Sequence, residues 1–279
     1  MKHLTRIVIP VVLAYGTILF FYVLMQRTMV FHPVPRNGTT PAQFGLKEYQ
    51  EVSFPSSDGV SLTGWWITHP NQDPRRPILV YCHGNADCVS QLAQVSKIFY
   101  DFGFDALIFD YRDYGNSQKA PLSEAALDRD ALAAYTWVKS KDIPENRIFI
   151  WGHSLGSSVA AHLASQTQPA GLILEGAFPS VLAVSRQRKP WLWVADFMIL
   201  DKFDTEKYVQ ERTCPLLATH AEKDTIIPEE LGKRVFDKAS QPKEWLEIKG
   251  IDHNDFPSVA YQYRKPIQDF VKACLNKDK

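Results

Sequence analysis

Arg147-Ile-Phe-Ile-Trp-Gly152-His153-Ser154-Leu155-Gly156-Ser157-Ser158-Val159-Ala160-Ala161 reads as a buried strand, a Gly-x-Ser-x-Gly turn and a helix of small residues. A serine in such a turn sits on a sharp strand-to-helix bend. Glycines two before and two after it let neighbouring segments close in without a Cβ clash. The helix that follows aims its N-terminus at the serine, so the Leu155 N–H and the helix dipole face an oxyanion developing there. The stretch marks Ser154 as a nucleophile and Leu155 as one oxyanion donor.

The segments on either side set the architecture. Short, almost wholly apolar runs recur at Ile78–Tyr81, Ala106–Phe109, Ile148–Trp151, Leu172–Leu174 and Leu216–Ala218. Such runs suit strands buried on both faces of a parallel sheet. Between them lie segments of helical spacing, such as Glu124 to Lys139, with apolar Leu127, Leu132, Tyr135 and Val138. Alternating strand and helix predicts an α/β fold, a mostly parallel sheet with helices on both faces. Before it, Val52–Phe54 and Leu62–Ile67 flank Ser57-Asp58-Gly59 and read as an antiparallel hairpin.

A serine nucleophile needs a general base, and an imidazole held by a carboxylate is the usual one. In this strand–turn–helix architecture the chain order is serine, acid, histidine. Of the eight histidines only His220 and His253 lie well beyond the nucleophile helix. His220 precedes the best acid candidate and fails the order. His253 stands in the polar loop Gly250-Ile-Asp-His-Asn-Asp255, after the strand Glu244–Ile248, and is the predicted base. The predicted acid is Asp224, in a loop just past the strand Pro215–Thr219, at the carboxyl edge where such sites lie. Glu222 and Glu175 are the other acids in reach, while Asp252 and Asp255 are expected to brace the His253 loop. A second oxyanion donor is needed, and the strand Ile78–Cys82 runs into His83-Gly84-Asn85, which puts the Asn85 N–H in place. His83 is expected to brace that turn. The later turn Asp110 to Ser117 reads as structural.

The amino end has a different character. Ile7 to Met25 carries no charge over nineteen residues, a helix about 28 Å long that matches the hydrocarbon core of a bilayer. It lacks the small-x-small site of a cleaved signal. Residues 1–28 therefore read as a retained single-pass anchor, residues 29–48 as a linker, and residues 49–279 as the catalytic domain. With the core starting near Tyr49, a chain lacking residues 1–28 is expected to fold and act. Lys2 and Arg6 face Arg27 and Arg36 across the span, which leans toward a domain on the non-cytoplasmic side. Overall, 31 Lys+Arg balance 31 Asp+Glu with no long basic run, which argues against a nucleic-acid partner. Cys82, Cys88, Cys214 and Cys274 form no C-x-x-C pair, which disfavours a disulfide scaffold and a structural zinc site.

Between Leu174 and Pro215 lie about forty residues, too many for a simple crossover. They predict a small helical cap at about residues 179–213. Its Trp191, Trp193, Phe197 and Met198 are candidates to line an acyl pocket above Ser154, with Arg186, Arg188 and Lys189 facing anionic headgroups.

Taken together, Phe31-His32-Pro33 after an anchor, His83-Gly84-Asn85-Ala86, Asp110-Tyr111-Arg112 with Tyr114-Gly115 and Ser117, Gly152-His153-Ser154-Leu155-Gly156, Asp224 before Ile227-Pro228, and His253-Asn254-Asp255 resemble the α/β-hydrolase superfamily. They are most similar to its membrane-anchored Bem46-like branch, which includes α/β-hydrolase domain-containing proteins 13 and 17. The resemblance spans about residues 30–275. It implies the same triad of Ser154, Asp224 and His253. Relatives often carry Gly where this chain has Asp87, Asp113 and Ser157. The expected activity is that of a membrane-anchored serine hydrolase cleaving carboxylic esters or thioesters through an acyl-enzyme, without metal or organic cofactor. Its expected partners are an acyl ester or thioester and the lipid bilayer. An acyltransferase or serine peptidase using the same triad is the alternative reading, and a non-catalytic membrane scaffold is the reading from another class.

Overall fold

The computed structural model describes residues 2–71, 73–191 and 196–276. Among these, the strands are β1 (Tyr49–Pro55), β2 (Ser61–Ile67), β3 (Ile78–Cys82), β4 (Asp105–Asp110), β5 (Ile148–His153), β6 (Gly171–Glu175), β7 (Leu216–Ala221) and β8 (Lys243–Ile248). They form one sheet in the order β1-β2-β4-β3-β5-β6-β7-β8. The β1–β2 hairpin and the β2–β4 pair are antiparallel, and every pair from β4 to β8 is parallel. Every residue of β3, β5 and β7 is buried, which is why these strands read as unbroken apolar runs. The edge strand β1 keeps mostly exposed or half-buried positions.

The helices are α1 (Lys2–Val30), α2 (Ala93–Phe102), α3 (Glu124–Lys139), α4 (Leu155–Gln166), α5 (Val181–Arg188), α6 (Thr205–Glu211), α7 (Glu229–Lys238), α8 (Phe256–Val259) and α9 (Arg264–Leu275). Alternate residues of each strand feed two cores. Ile78 and Val80 pack with Leu127 of α3, Val159 of α4 and Val235 of α7 on one face. Leu79 and Tyr81 pack with Phe99 of α2 and Phe270 of α9 on the other. The four cysteines are buried and form no disulfide.

The register aligns the strand ends that matter. Cys82 pairs with Gly152, His153 with Glu175, and Glu175 with Thr219. The loops after β3, β5, β6 and β7 therefore emerge at one edge of the sheet. The expected cap lies between β6 and β7 and holds α5 and α6. The turn after β4 is structural, as read. Arg112 is buried, donates to Asp130 at 2.7 Å and to Asp58 at 2.8 Å, and so ties the β1–β2 turn to α3. Asp113, one of the departures from the glycine pattern, sits at φ 66, a left-handed conformation that aspartate tolerates better than most residues.

Val8–Val30 of α1 is long and apolar enough to cross a membrane, with a mean hydropathy of 2.3. The carboxyl half of this helix does not stand clear of the domain. Gln26 is buried, donating through Nε2 to the Met198 carbonyl at 2.6 Å and accepting from the Leu200 N–H at 2.9 Å. Arg27 pairs with Asp201 at 2.9 Å, and the Tyr22 hydroxyl meets the Ser185 hydroxyl at 3.0 Å. The segment that follows is bound to the domain too. Phe31 and Leu46 join the two cores, and the Gly115 N–H donates to the Val34 carbonyl. The buried core thus extends amino-terminal to Tyr49, because this segment fills a face that the sheet leaves open.

Candidate active site

Ser154 occupies the bend between β5 and α4 at φ 52 and ψ −121, a strained conformation for a residue with a side chain. The two flanking glycines show why the bend needs them. A Cβ on Gly152 would lie 2.2 Å from the Gly156 carbonyl oxygen, and one on Gly156 would lie 2.1 Å from the Cys82 carbonyl oxygen. Such contacts would push α4 off the sheet and the β3 loop off Ser154. The Ser154 N–H is held by the Glu175 carbonyl at 2.9 Å.

His253 Nδ1 lies 2.6 Å from Asp224 Oδ2, both side chains being buried. Burial pushes the Asp224 carboxyl up, but hydrogen bonds from His220, His253 and the Ile227 N–H outweigh it and hold the group well below the usual carboxylate range. Chain order excludes His220 as the base. The structure makes it a neighbour of the acid, with Nε2 donating to the Ile227 carbonyl at 2.8 Å and lying 3.4 Å from Asp224. His253 Nε2 is buried without a hydrogen-bond partner. It is the nitrogen left for a proton from the serine, a bond that such sites often tighten only with substrate bound.

The other acids are engaged elsewhere. Glu175 accepts from the Trp151 indole at 3.0 Å, and burial pushes its carboxyl up. Glu222 accepts from the Gly250 N–H at 2.8 Å. Asp252 accepts from the Thr225 and His253 N–H groups, each at 2.7 Å, and Asp255 from the Asp252 N–H. These last two brace the His253 loop, as the sequence suggested. His153 carries a similar duty, its Nε2 lying 3.3 Å from the His253 carbonyl.

Asn85 lies in the turn after β3, beside Leu155 at the start of α4, and both line one cleft with Ser154. The Asn85 N–H has no hydrogen-bond partner among the described residues. Its side chain is fastened three ways: Oδ1 accepts from the His32 N–H at 2.8 Å and from the Tyr114 hydroxyl at 3.0 Å, and Nδ2 meets His32 Nδ1 at 2.8 Å. His83 braces the turn through Nδ1 at 2.8 Å from the Gly84 carbonyl, and burial pushes its imidazole down. His32 and Tyr114 were not assigned a role at this site from the sequence. They reach Asn85 from 53 and 29 residues away, and local pattern carries no signal for that.

The cleft above Ser154 has a volume of about 290 Å³. Its apolar walls are Met29 and Val30 of α1, Phe178, Val181 and Val184 around α5, and Ile226 and Ile227 beside the acid loop. The aromatic lining expected from the cap is not what forms it. Trp191 and Phe197 are 66% and 86% exposed and stay outside the cleft, and Met198 packs against the Leu182–Ile199 cluster. Trp193 lies outside the described residues. The walls come instead from α5 and α1, because the Gln26 clamp draws α1 over the opening. A larger cleft of about 630 Å³, among Asp73, Arg147 and Lys272, lies at the amino ends of β3 and β5, away from the serine.

A family described as Hydrolase_4, serine aminopeptidase S33, matches residues 73–199. The uncharacterized protein Rv2307c of Mycobacterium tuberculosis is 33% identical over 256 residues, covering 91% of this chain and 89% of that one. The lysophosphatidylserine lipase ABHD12 of Danio rerio is also 33% identical, over 88% of this chain and 66% of that protein. Among solved structures, the Pyrococcus furiosus esterase Pf2001 superposes with a TM-score of 0.69 at 20% identity, over 88% of this chain and 98% of the esterase. Est1E from Butyrivibrio proteoclasticus, with ferulic acid bound, gives 0.64 at 17% identity over 80% and 99% of the two chains. With the strand order, the serine bend and these likenesses together, the chain belongs to the α/β-hydrolase superfamily, among its serine hydrolases.

Proposed function

We propose that the protein is a membrane-anchored esterase or lipase that works through Ser154, His253 and Asp224. The observations that carry this reading are the strained Ser154 bend and a buried His253–Asp224 pair whose outer nitrogen has no hydrogen-bond partner. Ser154 Oγ attacks the acyl carbon, and His253 Nε2 takes the hydroxyl proton. The Asn85 and Leu155 N–H groups hold the oxyanion. As the carbon–oxygen bond to the leaving alcohol breaks, the imidazolium returns that proton to the departing oxygen. Water, deprotonated by the same nitrogen, then cleaves the acyl-enzyme to release the carboxylic acid. Asp224 keeps the imidazole aligned and offsets its transient charge.

The apolar cleft supports an acyl chain on the carbonyl side, and Arg188 and Lys189 at its rim supply cations for an anionic leaving group. The ABHD12 relatives are named for a lysophosphatidylserine substrate, which combines these two features. An aminopeptidase must hold a substrate ammonium, and no Asp or Glu lines the described cleft. Thioesters share the acyl-enzyme and remain within the same reading. The uncharged α1 segment supports the anchor, and Lys2 and Arg6 ahead of it favour a domain on the non-cytoplasmic side. A fluorophosphonate probe should label the full-length protein in membranes, and Ser154→Ala should abolish the labelling. Undiminished labelling of that variant would overturn the assignment.

A further inference from the structure

We propose that α1 is a wall of the acyl-binding site as well as an anchor: an acyl chain of a membrane lipid enters from the hydrocarbon core between α1 and α5 and reaches Ser154 without leaving the bilayer. This rests on the Ser154 reading above and names the route by which its substrate arrives.

Three observations carry it. The first is the face that α1 turns to the domain. Tyr15, Leu19, Tyr22, Val23, Gln26 and Val30 are its covered or half-covered positions, while Ile18, Phe20, Phe21, Leu24 and Met25 are exposed. The covered positions recur at i, i+4, i+7, i+8, i+11 and i+15, one stripe of a helix. Leu19 and Tyr22 pack on Leu182 and Ile199 of the cap. A buried glutamine in an apolar helix is costly unless both ends of its amide are bonded, and Gln26 bonds at both ends to the cap backbone. The contact is therefore specific docking.

The second is depth. The uncharged run begins at Ile7, and docking is established from Leu19 onward. The half-covered stripe begins at Tyr15, so about 12 Å of the uncharged helix precedes it, less than half of a hydrocarbon core about 30 Å thick. For the uncharged run to span, the docked part and the cap beside it must themselves lie within the apolar layer. The cap surface agrees with that placement, since Phe197 and Leu200, in the stretch that Gln26 binds, are 86% and 56% exposed, and Trp191 of the cap is 66% exposed. Trp191 and Phe197, expected from the sequence to line the pocket, face outward with Leu200 where lipid would meet them.

The third is continuity. The cleft that contains Ser154 is bounded by Tyr22, Met29 and Val30 on one side and by Val181, Val184 and Ser185 on the other. Tyr22 and Ser185 join hydroxyls across it. One wall of the cleft thus belongs to α1, and Met29, Val30, Val181 and Val184 offer an acyl chain an apolar path toward the serine past the Tyr22–Ser185 hydroxyl pair.

A long-chain fluorophosphonate with a diazirine near its distal methyl tests this with the full-length protein in phosphatidylcholine vesicles. Phosphonylation of Ser154 followed by irradiation should place the crosslink on α1 between Leu19 and Val30, or on α5. Phosphonylation with crosslinks confined to other elements overturns the route while leaving the serine assignment standing. Failure to phosphonylate Ser154 overturns the assignment itself. As a functional counterpart, Val184→Trp should plug the channel. It should reduce kcat/KM for a palmitoyl ester at least tenfold more than kcat/KM for an acetyl ester, with Ser154 still labelled by a short fluorophosphonate. A Val184→Trp protein that keeps its full palmitoyl rate contradicts the channel. Equal loss on both esters with labelling retained does so too, because the residue then acts on the fold and not on the chain.

Discussion

Asp224 is the side chain on which the site's electrostatics turn. It is buried, yet two imidazoles and a backbone N–H keep it ionised, so it is available to orient His253 across the working pH range. Replacing it with Asn leaves the shape and reverses the hydrogen-bonding preference, which favours the wrong imidazole tautomer. Asp224→Asn should lower kcat on the order of 10⁴-fold. Glu175→Gln should cost far less, because Glu175 serves the Trp151 indole and not the imidazole. Kinetics of the two variants on one ester decide between them, and the opposite order would make Glu175 the acid. The serine bend and its glycines were legible because a sharp bend has a local sequence signature, and chain order with strand ends pointed to the His253–Asp224 pair that the structure brings together. His220 was set aside by that same rule. Its partnership with Asp224 comes from a packing of α7 on β7, where Gly232 leaves room for the ring, and no spacing rule announces it.

At the scale of elements, the parallel strands were legible for a plain reason: a strand buried on both faces has no polar alternation to blur it. The hairpin and α3 followed their turn and helical signals as well. The tie that holds the hairpin turn was not legible, since Arg112 reaches Asp58 and Asp130 from a different loop. That tie makes a pH prediction. Hydrogen bonding to Arg112 lowers the folded-state Asp58 carboxyl from 3.8 to about 2. A depressed carboxylate contributes stability that is fully present above its unfolded value and lost as pH falls through its folded value. Asp58→Asn should therefore destabilise the protein at pH 7, and its deficit against the parent should shrink from about pH 4 downward, falling to a small fraction by about pH 2 and vanishing below it. Thermal melts of both proteins across that range check it. A deficit unchanged between pH 7 and pH 2 would show that the Arg112 tie does not act through the Asp58 charge.

At the scale of the whole molecule, the amino-terminal helix, the segment after it and the cap act on one cleft. From the sequence, α1 reads as an anchor alone, and its removal as harmless. That reading missed the docked face, since Tyr22 and Gln26 find their partners more than 160 residues away and nothing local distinguishes a docked apolar stripe from a lipid-facing one. The full-length protein should stay with membranes at high salt and dissolve only in detergent. A chain lacking residues 1–28 should still turn over an acetyl ester, but should lose the rise of kcat/KM with acyl length, a rise of up to about fourfold per buried methylene. An unchanged chain-length profile would return α1 to the role of a simple tether. The account stands or falls on the acyl-enzyme. The most direct measurement incubates the full-length protein with a long-chain ester, quenches in acid during turnover and maps the acyl mass by peptide mass spectrometry. The adduct should sit on Ser154 and be absent from Ser154→Ala, which should turn over no ester. An acyl group on another residue, or undiminished turnover by Ser154→Ala, would contradict the account.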